Sequence, residues 1–126
     1  MLQKKYRLTR KRDFKTIFAG GRTYVHRLFI LKVLNRRDEY PSRFGFVTSA
    51  NVGNAVLRNR ARRLLREAVR LLGDRVRLTG VDVVLIARPP AREATFSEVS
   101  QAVQEQFKKA GLLRNREEAE VCPNSL

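Results

Sequence analysis

The sequence predicts a small single-domain α+β fold, in which a mainly antiparallel sheet and three helices form a sandwich. Two observations carry this prediction. The chain has 126 residues, of which 43% are hydrophobic, and this is enough for one compact domain with a real core. Helical and strand-like patterns of apolar residues also alternate along the chain, in the order helix, strands, helix, strand, helix.

The first predicted helix covers residues 13–19. Phe14, Ile17 and Phe18 recur at helical spacing and share one face, and Gly20-Gly21 follows as a left-handed C-terminal cap. From that spacing alone, Phe14 and Phe18 are expected to be core residues rather than exposed platforms for stacking bases.

Two strands are predicted next. Residues 24–34 are rich in aromatic and aliphatic side chains, and residues 43–49 form a second run of the same kind. The polar segment 35–42, which contains Asp38 and Pro41, is expected to be the turn of an antiparallel hairpin between them.

The C-terminal half adds a strand and a helix. The apolar run at residues 81–87 predicts a buried strand, which Pro89-Pro90 ends. Thr95 and Glu98 match a capping box, so the last helix is expected to begin there and to run to about Ala110, with Gly111 as its cap.

The charge is the strongest functional signal. Lys and Arg number 27 against 12 Asp and Glu, which gives a formal net charge of +15 and a pI near 11.3. Clustered cations of this kind favour nucleic acid as the partner, with an anionic membrane surface as the weaker alternative. No stretch approaches the roughly 20 apolar residues of a membrane span, and no signal peptide is recognisable, so we expect a soluble, cytoplasmic protein.

The longest helical pattern, at residues 54–72, places this charge on one side of a helix. Its predicted apolar face consists of Leu57, Ala61, Leu64, Ala68, Leu71 and Leu72. Its opposite face consists of Arg58, Asn59, Arg62, Arg63, Arg66 and Arg70. Arg60 lies nearer the boundary, beside Glu67. Solvated helix faces normally mix charges, because like charges four residues apart destabilise a helix, so this face is predicted to bind phosphates.

The residues alone do not decide between RNA and DNA. No zinc-finger spacing or leucine zipper is present, and a basic helix beside a sheet with exposed aromatics suits single-stranded RNA. Autonomous catalysis is not expected, because the acids are scattered and His26 is the only histidine. Cys122 is the only cysteine, so Cys and His together cannot form a tetrahedral zinc site.

Three segments of the chain resemble the bacterial ribonuclease P protein family. The segment from Asn54 to Arg66, NAVLRNRARRLLR, is similar to that family's RNR signature. Asp13-Phe14-Lys15 through Phe18 resembles its first helix, and Ile86-Ala87-Arg88-Pro89 resembles the end of its last strand. The resemblance extends from about Arg7 to Leu113.

The resemblance implies the element order α-β-β-β-α-β-α with a left-handed β-α-β crossover. It implies that the chain joins a catalytic RNA that removes the 5′ leader from precursor-tRNA, with no catalytic residue in the protein. Mg²⁺ would be bound mainly by the RNA, and metal ligands in the protein are not identified. The residues implied to contact the catalytic RNA are Asn54, Arg58, Asn59, Arg60, Arg62, Arg63 and Arg66, and we add Arg70 from its place on the arginine face.

The resemblance implies that Phe14 and Phe18 line a cleft for the leader. At least one of the two is therefore expected to be a leader contact and not a core residue. Lys32 stands where relatives commonly carry an aromatic residue, so a phosphate contact is expected there in place of stacking.

Neither a membrane nor a small-molecule substrate is expected. The remaining alternatives are a ribosomal or RNA-chaperone protein and a dimeric DNA-binding regulator.

The predicted organisation is a basic N-terminal arm at residues 1–8, an RNA-binding domain at residues 9–113 and a disordered C-terminal tail at residues 114–126.

Overall fold

The computed structural model describes residues 11–76 and 79–113, so the predicted arm at 1–8 and tail at 114–126 lie outside the described residues. The elements are α1 (Lys11–Gly20), β1 (Arg22–Val25), β2 (Phe29–Asn35), β3 (Arg43–Thr48), α2 (Ala55–Leu72), β4 (Val81–Ala87) and α3 (Phe96–Lys109). The α+β class and the order α-β-β-β-α-β-α are confirmed. Within the described ranges, no helix is both long and apolar enough to cross a membrane.

The single strand predicted at residues 24–34 is in fact the hairpin β1–β2. The chain reverses at His26–Leu28, where the His26 amide donates to the Phe29 carbonyl at 2.9 Å and the Leu28 amide donates to His26 Nδ1 at 3.0 Å. This turn contains no Gly, Pro, Asn or Asp, which are the usual signals of a reversal, and the prediction missed it for that reason.

The predicted hairpin between β2 and β3 is also wrong, because β4 lies between these two strands. The sheet order is β1-β2-β4-β3, with β1 and β4 antiparallel to β2 and with β3 parallel to β4. The sheet is therefore mainly antiparallel, as predicted. The parallel pair β3 and β4 is connected through α2, which makes it a β-α-β unit, and its left-handed sense stays a prediction from the resemblance.

The sheet has helices on both faces, because alternate residues of β4 point to opposite sides. On one face Val83 and Leu85 join the main core, together with residues of α2 and α3 that include Ala61, Leu65, Val103 and Phe107. On the other face Val84 packs against Ile17 of α1. The helices α1 and α2 therefore lie on opposite layers of the sandwich.

The buried face of α2 is rotated from the one predicted. Its buried residues are Ala61, Leu65, Ala68, Val69 and Leu72. Leu57 and Leu64 are only half-buried, and Leu71, predicted to be core, is 57% exposed. This rotation brings Arg58 towards the edge of the core and leaves Asn59, Arg63 and Arg70 on the outer side.

Candidate nucleic-acid interface

The arginine-bearing helix α2 begins at a defined cap. Asn54 is its N-cap, and its Oδ1 accepts a hydrogen bond from the Leu57 amide at 3.0 Å, which satisfies one of the unpaired donors of the first turn. Gly53, just before it, has φ +141°, a conformation that L side chains rarely adopt. Asn54 therefore fixes where the helix begins, and the residue itself stays exposed.

A shallow concavity on the outer side of α2 is the centre of the candidate interface. It is lined by Val56, Asn59, Arg62, Arg63 and Arg66. Arg62 Nη2 donates to Asn59 Oδ1, so two of the lining side chains hold each other in place. These residues recur at helical spacing on one face, and three guanidinium groups therefore converge on a surface about as long as three helical turns. We call these five residues the arginine surface.

The guanidinium group of Arg66 is held over an aromatic ring. Its Cζ lies 5.7 Å from the ring centroid of Phe46 on β3, within the range of a cation–π contact. Phe46 packs against the main core and is only half-buried. The ring thus orients Arg66 before any ligand binds.

The three other arginines that the sequence grouped with this face are engaged within the protein or lie at its edge. Arg60 donates from Nη1 to the Arg92 carbonyl at 2.9 Å and from Nη2 to the Ala94 carbonyl at 3.0 Å. Arg58 is half-buried, and its Nε is buried without a hydrogen-bond partner among the described residues.

Arg70, the third of them, forms an ion pair with Glu67, with its Nε 3.1 Å from both Oε atoms. Hydrogen bonds from Arg70 hold the pKa of Glu67 below its usual value. The structure therefore leaves Arg62, Arg63 and Arg66 as the arginines that line one surface together.

A second cluster lies on the opposite layer, where α1 crosses the sheet. It brings together the three residues predicted to contact the leader. The rings of Phe14 and Phe18 are 6.5 Å apart at 30°, and Lys32 Nζ lies 5.9 Å from the Phe18 centroid. Phe14 is half-buried beside Ile17, whereas Phe18 is 43% exposed. Phe14 is therefore partly a core residue and Phe18 presents a ring to solvent. We call Phe14, Phe18 and Lys32 the aromatic cluster.

Sequence reasoning missed Val56 of the arginine surface, and it also missed Phe46, the ring over which Arg66 lies. Val56 is 74% exposed, and it lies three residues before Asn59 and seven before Arg63, so the helical period could have placed it on this face. Phe46 had no such signal, because its contact with Arg66 joins residues twenty positions apart.

The described structure contains no cluster of side chains suited to bind a metal ion. Among residues 11–76 and 79–113, no group of three or more His, Cys, Asp or Glu is placed to hold a metal ion. The features that remain are an arginine surface on one layer and an aromatic cluster with a lysine on the other, and these define a small, basic RNA-binding protein.

Comparison with known proteins identifies the family. The family model described as Ribonuclease P matches residues 2–111, so this chain belongs to the ribonuclease P protein family. The ribonuclease P protein component of Symbiobacterium thermophilum is 44% identical over 113 residues, which cover 90% of this chain and 97% of that protein. The component from Bacillus cereus is 34% identical over 113 residues, with the same coverage of each chain.

Solved structures of the same family share the fold. The Staphylococcus aureus RNase P protein superposes with a TM-score of 0.77 at 28% identity, and the match covers 86% of this chain and 98% of that one. The Thermotoga maritima protein has a TM-score of 0.71 at 29% identity, covering 82% of this chain and 96% of that one. The chain is therefore the protein subunit of an RNA-based endoribonuclease of tRNA processing, with an RNA partner in the ribonucleoprotein.

Proposed function

We propose that the arginine surface of α2 binds the catalytic RNA of ribonuclease P and that the aromatic cluster of α1 and β2 binds the 5′ leader of precursor-tRNA. The convergence of Arg62, Arg63 and Arg66 on one concavity carries the first half of this proposal. Guanidinium groups donate in a planar fork that matches phosphate oxygens, and Asn59 adds an amide that holds one of them in place. A phosphate backbone that lies along this concavity would contact all three arginines.

The aromatic cluster suits a single strand. An exposed ring provides a face on which an unpaired base can stack, and Phe18 is such a ring. Lys32 beside that ring supplies a cation for the phosphate of the same nucleotide. Because α1 and α2 occupy opposite layers, the protein would contact catalytic RNA and leader at the same time without competition between them.

The RNA contacts of Asn54, Arg58, Arg60 and Arg70 stay predictions of the sequence. Asn54 uses its Oδ1 for the helix cap, Arg60 uses two donors on backbone carbonyls, and Arg70 is paired with Glu67. We expect these residues to shape α2 and the charge around the arginine surface, and to make fewer direct phosphate contacts than Arg62, Arg63 and Arg66.

Magnesium is expected in the holoenzyme, but the described residues of this chain do not fit it as ligands. They hold no group of three or more His, Cys, Asp or Glu that could bind a metal ion, and the arginine surface would repel a divalent cation. Binding of Mg²⁺ mainly by the RNA stays a prediction, and we propose that the protein contributes RNA binding and charge neutralisation. A cytoplasmic location likewise stays a prediction.

The test is reconstitution of the full chain with a bacterial ribonuclease P RNA. Cleavage is measured at low magnesium on precursor-tRNA with a long leader and on the same substrate with the leader trimmed to one nucleotide. We expect the protein alone to cleave neither substrate, and we expect it to raise kcat/KM in the holoenzyme mainly for the long leader. An equal effect of the protein on both substrates would contradict leader binding, and failure to bind the RNA would contradict the whole proposal.

A further inference from the structure

A buried carboxylate lies under α1. Asp82 of β4 points to the α1 side of the sheet, and its side chain is only 3% exposed. A buried charge destabilises a fold unless it is paired. Arg43, its register partner on β3, provides the pair through two parallel bonds, from Nε to Oδ1 at 3.0 Å and from Nη2 to Oδ2 at 2.7 Å.

The same guanidinium group also holds α1. Arg43 Nη1 donates to Oδ2 of Asp13, in the first turn of α1, at 3.0 Å. One arginine thus joins an acid of the sheet to an acid of the helix. Its pKa is raised chiefly by the hydrogen bond to Asp82, with Asp13 adding to the effect. On the far side of Asp82, Arg36 Nε approaches Oδ1 at 3.6 Å and adds a second cation to the group.

The contacts at the two ends of α1 fix its position across the sheet. At the C-terminal end, a Cβ added to Gly21 would lie 2.9 Å from the Val33 carbonyl oxygen, so the chain there is in close contact with β2. At the N-terminal end the link is Asp13 to Arg43. In the middle, Ile17 is the buried residue of α1. The apolar contact of α1 with the sheet is made by Ile17 and the half-buried Phe14, and the ion pair adds a polar contact at its first turn.

We propose that Asp13, Arg43 and Asp82 are positioning residues for leader binding, which set the placement of α1 and hence the spacing of the aromatic cluster. The proposal rests on the leader-binding function proposed above. Phe14 is the next residue after Asp13, and Phe18 lies one turn further along the same helix. A tilt of α1 on losing the Asp13 link would therefore move both rings relative to Lys32, which is on the sheet.

The direction in which Asp13→Asn changes leader binding distinguishes a positioning role from a simple effect of charge. Asp13→Asn removes a negative charge, and general electrostatics predicts tighter binding to RNA. The positioning role predicts instead that binding of the leader becomes weaker. We expect kcat/KM for the long-leader substrate, relative to the trimmed one, to fall by about three- to tenfold, as for a partly exposed but well-aligned ion pair. Glu39→Gln is the matched control, since it makes the same charge change at an exposed residue of the β2–β3 loop and should leave the ratio unchanged.

One further variant, Arg43→Lys, separates the stability of α1 itself from its ion pair with the sheet. Asp13 also stabilises the N-terminus of α1 through the helix dipole, and Arg43→Lys leaves that contribution intact. A lysine keeps the positive charge beside Asp82 but cannot donate to two carboxylates as a planar guanidinium group does. The ratio of kcat/KM for the long-leader and trimmed substrates should therefore fall in this variant too. Amide hydrogen exchange in both variants should become faster in α1 and stay unchanged in α2 and α3. If Arg43→Lys does not fold, Asp13→Glu takes its place, because a glutamate keeps the negative charge at the N-terminus of α1 but shifts the carboxylate relative to Arg43.

Phe14→Ala distinguishes failure of this proposal from failure of the leader cleft. If Phe14→Ala lowers the ratio and Asp13→Asn adds no further loss in the double variant, the positioning role is supported. If Phe14→Ala lowers the ratio while Asp13→Asn and Arg43→Lys leave it unchanged, the positioning role is wrong and leader binding stands. If Phe14→Ala leaves the ratio unchanged, the cleft is wrong and the positioning role falls with it.

Discussion

Arg66 on α2 lies over the ring of Phe46 on β3, with 5.7 Å between the guanidinium carbon and the ring centroid. The ring removes rotational freedom from a long side chain before RNA arrives. An arginine that is already oriented loses less entropy when it binds phosphate. The contact therefore links the packing of the sheet to the chemistry of the arginine surface.

Phe46→Leu should weaken RNA binding without removing a charge. Leucine keeps an apolar side chain at this position but provides no aromatic face, so Arg66 keeps its charge and loses its orientation. We expect a loss in affinity for the catalytic RNA of about two- to fivefold, as for an exposed cation–π contact. In the background of Arg66→Ala the same substitution should have no further effect, and additive losses would contradict the link.

Arg62→Ala and Arg66→Ala should each remove about one phosphate contact. Affinity for the catalytic RNA should fall, and the plot of log affinity against log salt should become shallower by roughly 0.7–0.9 in each variant. Lys108→Ala, at an exposed position near the end of α3, is the control for loss of a cation elsewhere. Salt slopes equal to that of the unmodified protein in both arginine variants would argue against this surface.

The local elements could be predicted from the sequence. The helix α2 was expected at residues 54–72 and is found at Ala55–Leu72 with Asn54 as its cap, and the capping box of Thr95 and Glu98 is present. These signals depend on residues within one or two helical turns of each other. A helical period and a cap are therefore readable without knowing the rest of the fold.

Strand pairing and side-chain partners could not be predicted in this way. The neighbour of β3 is β4, and the two are separated by the whole of α2, so nothing near β3 in the sequence indicates its place in the sheet. The same holds for Arg60, which looks like its neighbours in the sequence but donates to carbonyls more than thirty positions away. Tertiary contacts thus divide an apparently uniform set of arginines into different roles.

Arg60→Lys should reduce stability more than RNA binding. The guanidinium group of Arg60 donates to two backbone carbonyls, one in the turn Pro89–Glu93 and one at Ala94, and so joins α2 to the segment before α3. A lysine cannot donate to both carbonyls in this planar geometry. We expect the free energy of unfolding to fall by about 1.5–3 kcal/mol, the range for hydrogen bonds to charged groups. Salt dependence of RNA binding should match that of the unmodified protein, and a shallower slope would instead place Arg60 on the RNA.

His26 should make the β1–β2 turn sensitive to acid. Desolvation by burial lowers its pKa from the ordinary value of 6.5, and its Nδ1 accepts a hydrogen bond from the Leu28 amide, which requires an unprotonated nitrogen. Because the unfolded chain binds the proton more readily, the stabilising contribution is fully present above pH 6.5 and is lost as the pH falls from there through the lower folded pKa.

The measurement is urea unfolding of the full chain across that pH range, compared with His26→Gln. Glutamine does not titrate, so the difference in unfolding free energy between the two proteins isolates this one group from the carboxylates that protonate at lower pH. We expect the advantage of the histidine protein to shrink as the solution becomes acidic. A difference that stays constant with pH would show that the turn does not depend on a neutral His26.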